Sequence, residues 1–527
     1  MPQTRRDFIR SGALGLAAAS GSAARRSREG RRTGVTPLKG PLFNQDSTEF
    51  FYTHPAHEVS GEAVDAWVDS LAQAGVGTLF SNTCAMRANY ASKVWETDWH
   101  GYDPAGPDDQ PVLRYLPKED IPGTRRRLDS ARKLAEMGVN FHERAFARCR
   151  KNGIGCWASV RMNDLHDCHL QDSPLLSTFY KQHPEFRRVP YRFTGWPDRA
   201  LDWAHAEVRG HYMRFIREHL DLFDLDGIEL DWMRFGYHFG IGRELDGGKI
   251  LTEWIADVRR ACRKAGRRLG HPVQLGVRVP STPSTARNLG LDGAAWARAG
   301  LIDLLVPTPF WGTCEFDMPM TTWRRLLDGT GCALAGGLEV RYQPMPAAQA
   351  HMMTPQLATG AAMAVLSGGA DFVYLFNYFA DMHLGGHWTK DEYDATLRAM
   401  ASIEALDQLP RRHAVTYRDV RAPGEPSDNP LPASGGIVSF RLQTGPKPVG
   451  RDAQVLLEVQ PADAPPPELR VNGTLCPAPS KQGDAAFRYP VPQDALADGA
   501  HVVEAAAVEG KPFTIVRVEF AVGPKMG

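Results

Sequence analysis

From about Thr48 to Met400 the chain alternates short runs rich in β-branched and aromatic residues with longer stretches whose apolar positions recur at helical spacing. The pattern predicts strands at Glu49–Thr53, Gly77–Asn82, Gly155–Arg161, Gly227–Met233, Val273–Pro280, Leu301–Thr308, Cys332–Val340 and Asp371–Phe376. Helices fit between them. Within Gly61–Ala74, the residues Val64, Val68 and Leu71 share one stripe, and Leu128–Asn152, Ala204–Phe223, Ile250–Ala265 and Pro355–Leu366 repeat that spacing. Strand–helix alternation implies a parallel sheet, and about eight units imply an α/β protein built as a closed (β/α)8 TIM barrel. An open doubly wound sheet would be favoured by a glycine-rich phosphate loop after the first strand, and none is present.

Beyond Leu409 the texture changes. Residues 410–434 read as a linker, because Ala422–Ser434 is dense in Pro, Gly, Ser, Asp and Asn. Short alternating runs follow at Ile437–Leu442, Gln454–Val459, Glu468–Val471, Ala486–Tyr489, His501–Ala507 and Phe513–Val522, with an Asn472-Gly473 turn between two of them. They predict a small antiparallel β-sandwich over 435–527 that buttresses a barrel spanning 48–409. The barrel is expected to fold without residues beyond about Ser434, though less stably.

Composition narrows the partners. The 527 residues suit one large domain and one smaller one. Acidic and basic residues balance at 61 each, so the basic excess expected of a nucleic-acid or membrane-surface binder is missing. Thr4-Arg5-Arg6-Asp7-Phe8-Ile9-Arg10 precedes a mild apolar run, Gly12 to Ala19, and small residues through Ala24. That run is too short to span a bilayer as a helix. The eight cysteines show no C-x-x-C spacing, which makes zinc or dithiol chemistry a weak reading and small core residues the simpler one.

In a barrel, the C-terminal ends of the strands line the functional mouth, and alternate residues of each strand point inward. Asp226-Gly227-Ile228-Glu229-Leu230-Asp231-Trp232-Met233-Arg234 puts Glu229 and Asp231 on one face, Ile228 and Leu230 on the other. Two same-face carboxylates on an apolar strand are costly unless paired or functional. The third strand and its loop give Ser159, Arg161 and Asn163, then Asp164 and His166. The fifth gives Arg278, the seventh Glu339 and Arg341, and the eighth ends in Asn377-Tyr378. The competing reading is a structural network in which Arg161 and Arg278 neutralise Glu229. Loop aromatics at the same end, namely Trp196, Phe310, Trp311, Tyr378, Phe379 and Trp388, could stack on sugar rings or on one another.

The N-terminal segment resembles a twin-arginine export signal, which implies a signal over residues 1–24, a basic leader over 25–47, and a periplasmic or extracellular protein. The run Asp226 to Arg234 resembles the D-G-I-E-L-D signature of glycoside-hydrolase-like barrel proteins. Val160-Arg161-Met162-Asn163-Asp164-Leu165-His166-Asp167 and Ala200-Leu201-Asp202-Trp203-Ala204 are similar to other segments of that group. The likeness runs from about Phe50 to Asp381 and stops before the C-terminal region. It implies the barrel and a reaction class, with an oligo- or polysaccharide substrate and no cofactor.

Glycosidic cleavage needs a carboxylic acid that protonates the leaving oxygen and a carboxylate that attacks the anomeric carbon or activates water. Asp231 and Glu339 are the expected pair, Asp231 as nucleophile or base and Glu339 as acid, with Glu229 one layer deeper. Asp303, Glu315 and Asp317 are rival acids. Arg161, Asn163, Asp164, His166, Arg278, Trp311, Arg341, Asn377 and Tyr378 are the expected substrate contacts. Two other classes stand beside this one. A non-catalytic sugar-binding barrel would keep the aromatics and lack turnover. A metal-dependent hydrolase or isomerase would need convergence among His54, His57, His166, His169, His383 and His387.

Replacing Arg5 and Arg6 with Lys should leave the precursor in the cytoplasm. Cell fractionation checks this, and undiminished export of the variant would exclude the twin-arginine route.

Overall fold

The computed structural model describes residues 37–524, apart from Ser47, Gln171, Met382, His383, Asp484 and 509–512. The twin-arginine segment and the His383 candidate lie outside the described residues.

Eight parallel strands close into a barrel: β1 (Leu42–Asp46), β2 (Thr78–Asn82), β3 (Gly155–Arg161), β4 (Gly227–Asp231), β5 (Gln274–Pro280), β6 (Leu304–Thr308), β7 (Ala333–Glu339) and β8 (Phe372–Phe376). Neighbours in sequence are neighbours in space, and β8 pairs with β1 to complete the ring. Seven of the eight expected strands are found to within a few residues of their predicted ends. The exception is the first. Glu49–Thr53 lies in a short helix, Thr48–Thr53, and the first strand is Leu42–Asp46, inside the segment read as leader. The cause is local: Asp46 Oδ1 accepts from both the Thr48 N–H (3.1 Å) and hydroxyl (2.7 Å), which favours a turn where Phe50-Phe51-Tyr52 suggest a strand.

The helix predicted over Leu128–Asn152 is two helices, Ile121–Glu136 and Phe141–Lys151. Gly138 sits at φ 74° between them, and the Asn140 side chain accepts from the His142 and Glu143 N–H groups to start the second. Ala206–Leu222 and Glu244–Leu269 follow their stripes, whereas Pro355–Ser367 is buried on all sides from Leu357 to Leu366. In Gly61–Gln73, Val64, Val68 and Leu71 are buried and Ser60 caps the first turn.

The barrel interior is layered. Its lower part is apolar, with Leu42, Phe80, Trp157, Leu304 and Val306 in one cluster. Trp157 fits because β4 presents Gly227 to it: a Cβ there would lie 2.5 Å from the indole. The layers above are polar and are described below.

The C-terminal region forms two antiparallel sheets with a shared apolar core that includes Val455, Leu457, Leu469, Val503, Ile515 and Phe520. Alternate residues of Arg451–Gln460 are buried, as the period-2 pattern requires. The segment read as a linker is partly built into this unit. Arg411–Ala414 is strand β9 and pairs with Thr514–Pro524. It also packs against the helix Pro355–Ser367, whose Gly360 allows the approach; a Cβ there would lie 2.0 Å from the Arg412 carbonyl oxygen. All eight cysteines are buried, and none is joined in a disulfide. Among the described residues no helix is long and apolar enough to cross a membrane.

Barrel and sandwich are also joined by a buried polar contact. Glu519, which is 0% exposed, accepts from Arg412 Nε (2.6 Å), Arg517 Nε (2.6 Å) and the Tyr342 hydroxyl (3.0 Å). Tyr342 belongs to the barrel rim, and a chain ending at Ser434 would lack Glu519 altogether. Glu519→Ala takes the acceptor from the buried Tyr342 phenol and the anion from two part-exposed guanidinium groups, so it should cost about 1–3 kcal/mol. Thermal melting checks this; an unchanged Tm would show that the contact contributes nothing to stability.

Candidate active site

Strand parity delivers polar groups to the upper barrel. One layer below the mouth, Glu229 Oε1 accepts from Ser159 Oγ (2.7 Å), the Tyr374 hydroxyl (2.8 Å) and Asn44 Nδ2 (3.2 Å). The carboxylate thus ties β1, β3, β4 and β8 together. Burial, and then the neighbouring Asp231, push its pKa up.

At the strand ends, Asp231 Oδ2 accepts from Arg278 Nη1 (2.7 Å) and Oδ1 from the Met233 N–H (3.0 Å). Both side chains are 1% exposed. Arg161 bridges two carboxylates, with Nη2 on Asp46 Oδ2 (2.7 Å) and Nη1 on Asp164 Oδ2 (3.1 Å). Asp164 also holds His166 Nδ1 at 2.9 Å. Burial alone would raise the Asp164 pKa, but His166 and Arg161 hold it well below the usual carboxylate range.

Above these pairs a pocket of about 150 Å³ opens between the ends of β1, β3, β4, β7 and β8. Asp46, Arg161, Arg234 and Glu339 line it with charge, and His166, Trp311, Arg341 and Asn377 complete most of its wall. Glu339 Oε1 accepts the Val340 N–H (2.9 Å), while buried Oε2 has no hydrogen-bond partner. Burial lifts the Glu339 pKa to about 7 against the pull of Arg234, Arg278 and Arg341. At Asp46 burial also acts upward, but Arg161 and the hydrogen bonds from Thr48 outweigh it and the pKa falls below normal. Two carboxyl groups on one pocket are therefore driven apart in protonation, one toward an acid and one toward an anion.

Of the residues expected from sequence, the pocket gathers Glu339, Arg161, His166, Trp311, Arg341 and Asn377. Asp231, Glu229 and Arg278 lie in the barrel interior and do not line it. Asn163 is a loop brace, donating to the Leu201 and Tyr237 carbonyls (both 2.9 Å) and accepting the Leu201 N–H. Tyr378 is fully buried and donates to the Glu339 carbonyl (3.2 Å). Asp303 pairs with Arg259 ahead of β6, at the other end of the barrel, while Glu315 and Asp317 are held by Arg418. The Trp388 indole is spent on the Met353 carbonyl, and Trp196 stacks on Phe310. Among the described residues no three His, Cys, Asp or Glu are grouped so as to hold a metal.

Two charged pocket residues were missed in the sequence reading. Asp46 went unseen because the first strand was placed after it, although Leu42, Asn44 and Asp46 share a parity that turns polar toward the strand end. Arg234 was seen only as lying past β4. A third group acts from outside: Asp419, in the segment read as linker, accepts N–H bonds from Trp311 (2.9 Å) and Gly312 (2.6 Å). It pins the loop that carries Trp311 over the pocket.

No protein-family model matches the sequence, and no curated sequence does either. Comparison with solved structures finds fold-level likeness. A cycloisomaltooligosaccharide glucanotransferase from Paenibacillus sp. is 9% identical, with 91% of this chain and 57% of that one covered and a TM-score of 0.33. The chain thus spans little more than half of that protein. The PgaB glycoside hydrolase domain from Bordetella bronchiseptica is 8% identical over 68% of this chain and 99% of its own, TM-score 0.41. The Thermotoga maritima α-fucosidase is 12% identical over 87% and 82%, TM-score 0.35. The likeness is confined to the fold.

Asp231→Asn would leave the buried Arg278 without its anion. It should destabilise the chain by on the order of 3 kcal/mol, visible as a fall in Tm. A variant that melts like the wild type would return Asp231 to the list of catalytic candidates.

Proposed function

We propose that the protein is an exported glycoside hydrolase in which Glu339 is the proton donor and Asp46 the ionised partner. The observation that carries this reading is the pair itself. Glu339 keeps one oxygen without a partner and holds its proton near neutral pH, while Asp46 on the same pocket is ionised. Bond cleavage at a sugar's anomeric carbon needs those two states together. Protonated Glu339 would deliver its proton to the leaving oxygen. Asp46, held ionised by Arg161, would stabilise or capture the positive charge that develops on the ring, or activate water.

Asp231 is not given the nucleophile's role in this reading, because it does not line the pocket, whereas Asp46 does. It fixes Arg278 instead. Beside the pocket, and sharing Arg341 with it, lies a cleft of about 1100 Å³ between the rim and the sandwich. That cleft has room for further sugar units.

Glu339→Gln should reduce turnover about a hundred- to ten-thousand-fold, the range for loss of a general acid. Asp46→Asn should reduce it comparably. In the wild type, the rate needs Glu339 protonated, so activity should fall as pH rises through about 7. The alkaline limb should vanish in Glu339→Gln. Turnover of a glycan panel across pH checks all three; near-normal rates in either variant would exclude the pair.

A further inference from the structure

We propose that the pocket contains a subsite for a carboxylate, so that the sugar bound there is a hexuronic acid. This deepens the glycosidase reading and rests on it for the sugar, but not for the anion. Arg234 is 4% exposed and lines the pocket, yet its buried Nε and Nη1 have no hydrogen-bond partner. Among the described residues neither Arg234 nor Arg341 has a carboxylate within 4.0 Å. A buried guanidinium with unused donors is expensive, and such groups persist where a ligand satisfies them.

The charge count around the pocket agrees. Arg161 is shared by Asp46 and Asp164, and Arg278 is matched by Asp231. With Asp46, Asp164 and Asp231 set against Arg161, Arg278, Arg234 and Arg341, and Glu339 pushed toward its neutral form, one positive charge is left over. Arg234 and Arg341 both line the pocket and, among the described residues, make no ion pair.

The shape of the donors selects the anion. The Arg234 guanidinium carbon lies 4.4 Å from the ring centroids of both Trp311 and Phe376. Its face is spent on aromatic contact, so the in-plane N–H bonds remain. Arg341 lies over Trp311 as well, at 5.3 Å. Planar edges of this kind match the two coplanar oxygens of a carboxylate. A carboxylate bound here would also add negative charge near Glu339 and favour its protonated form.

Calorimetric titration with glucuronate, galacturonate, glucose, galactose and glucose 6-sulfate tests the subsite without requiring turnover. At least one uronate should bind about tenfold or more tighter than its neutral counterpart and tighter than the sulfated sugar, as charge-assisted bonds to two arginines imply. Arg234→Met and Arg341→Gln should each abolish that preference. Arg234→Met should melt no lower than the wild type, since it removes an unpaired buried charge; should it fail to fold, Arg341→Gln carries the test. Equal binding of acidic and neutral sugars, tighter binding of the sulfate, or an unchanged preference in Arg341→Gln would overturn the proposal. Uronate preference without turnover of any glycan would sustain it and remove the hydrolase reading. Turnover of a neutral glycan without uronate preference would do the reverse.

Discussion

The mouth of the barrel is organised by the need to keep arginines beside carboxylates in a place with little water. Strand ends bring Arg161 and Arg278 inward, and each is held by acidic partners: Asp46 and Asp164 for the first, Asp231 for the second. In a low-dielectric interior a lone charge is costly, so these pairs constrain one another strongly. What the pairing leaves over defines the site. Among the described residues Glu339 has no arginine within ion-pairing reach, and Arg234 and Arg341 have no carboxylate within it; burial pushes Glu339 toward its neutral form. In the reading proposed above, the acid and the carboxylate-binding arginines lie outside these pairs, while the ionised partner, Asp46, lies within one.

That division separates roles that look alike in sequence. Glu229, Asp231 and Glu339 are all inward carboxylates near strand ends. Glu229 is saturated on one oxygen by three donors from three strands and acts as a tie across the barrel. Asp231 fixes an arginine. Only Glu339 among the three reaches the pocket. One residue of depth along a strand, or one extra partner, separates a carboxyl group that ties the barrel together from one that faces the pocket.

The C-terminal region takes part in the same economy at a distance. Asp419 reaches back to the backbone of the Trp311 loop, and Arg418 pairs with Glu315 and Asp317. Glu519 gathers Arg412, Arg517 and the rim residue Tyr342 into one buried contact. A segment whose Pro- and Gly-rich composition suggests a linker is therefore a strap that runs from the sandwich across the barrel's functional end.

The amino-acid sequence by itself determined the architecture, because strand–helix alternation and period-2 burial are local signals repeated many times along the chain. It also determined which strand ends are polar, since parity is a property of a strand alone. It misplaced β1, where Phe50, Phe51 and Tyr52 outweighed a capping bond from Asp46 that depends on side-chain geometry. Only the tertiary structure decided which inward groups are spent on each other. Pairing depends on strand register and shear across the barrel, which place Arg278 against Asp231 and Arg161 against Asp46, residues 47 and 115 positions apart in the chain. No local pattern encodes that arithmetic, so the identity of the unpaired groups, Glu339 and Arg234, emerges only when the barrel closes.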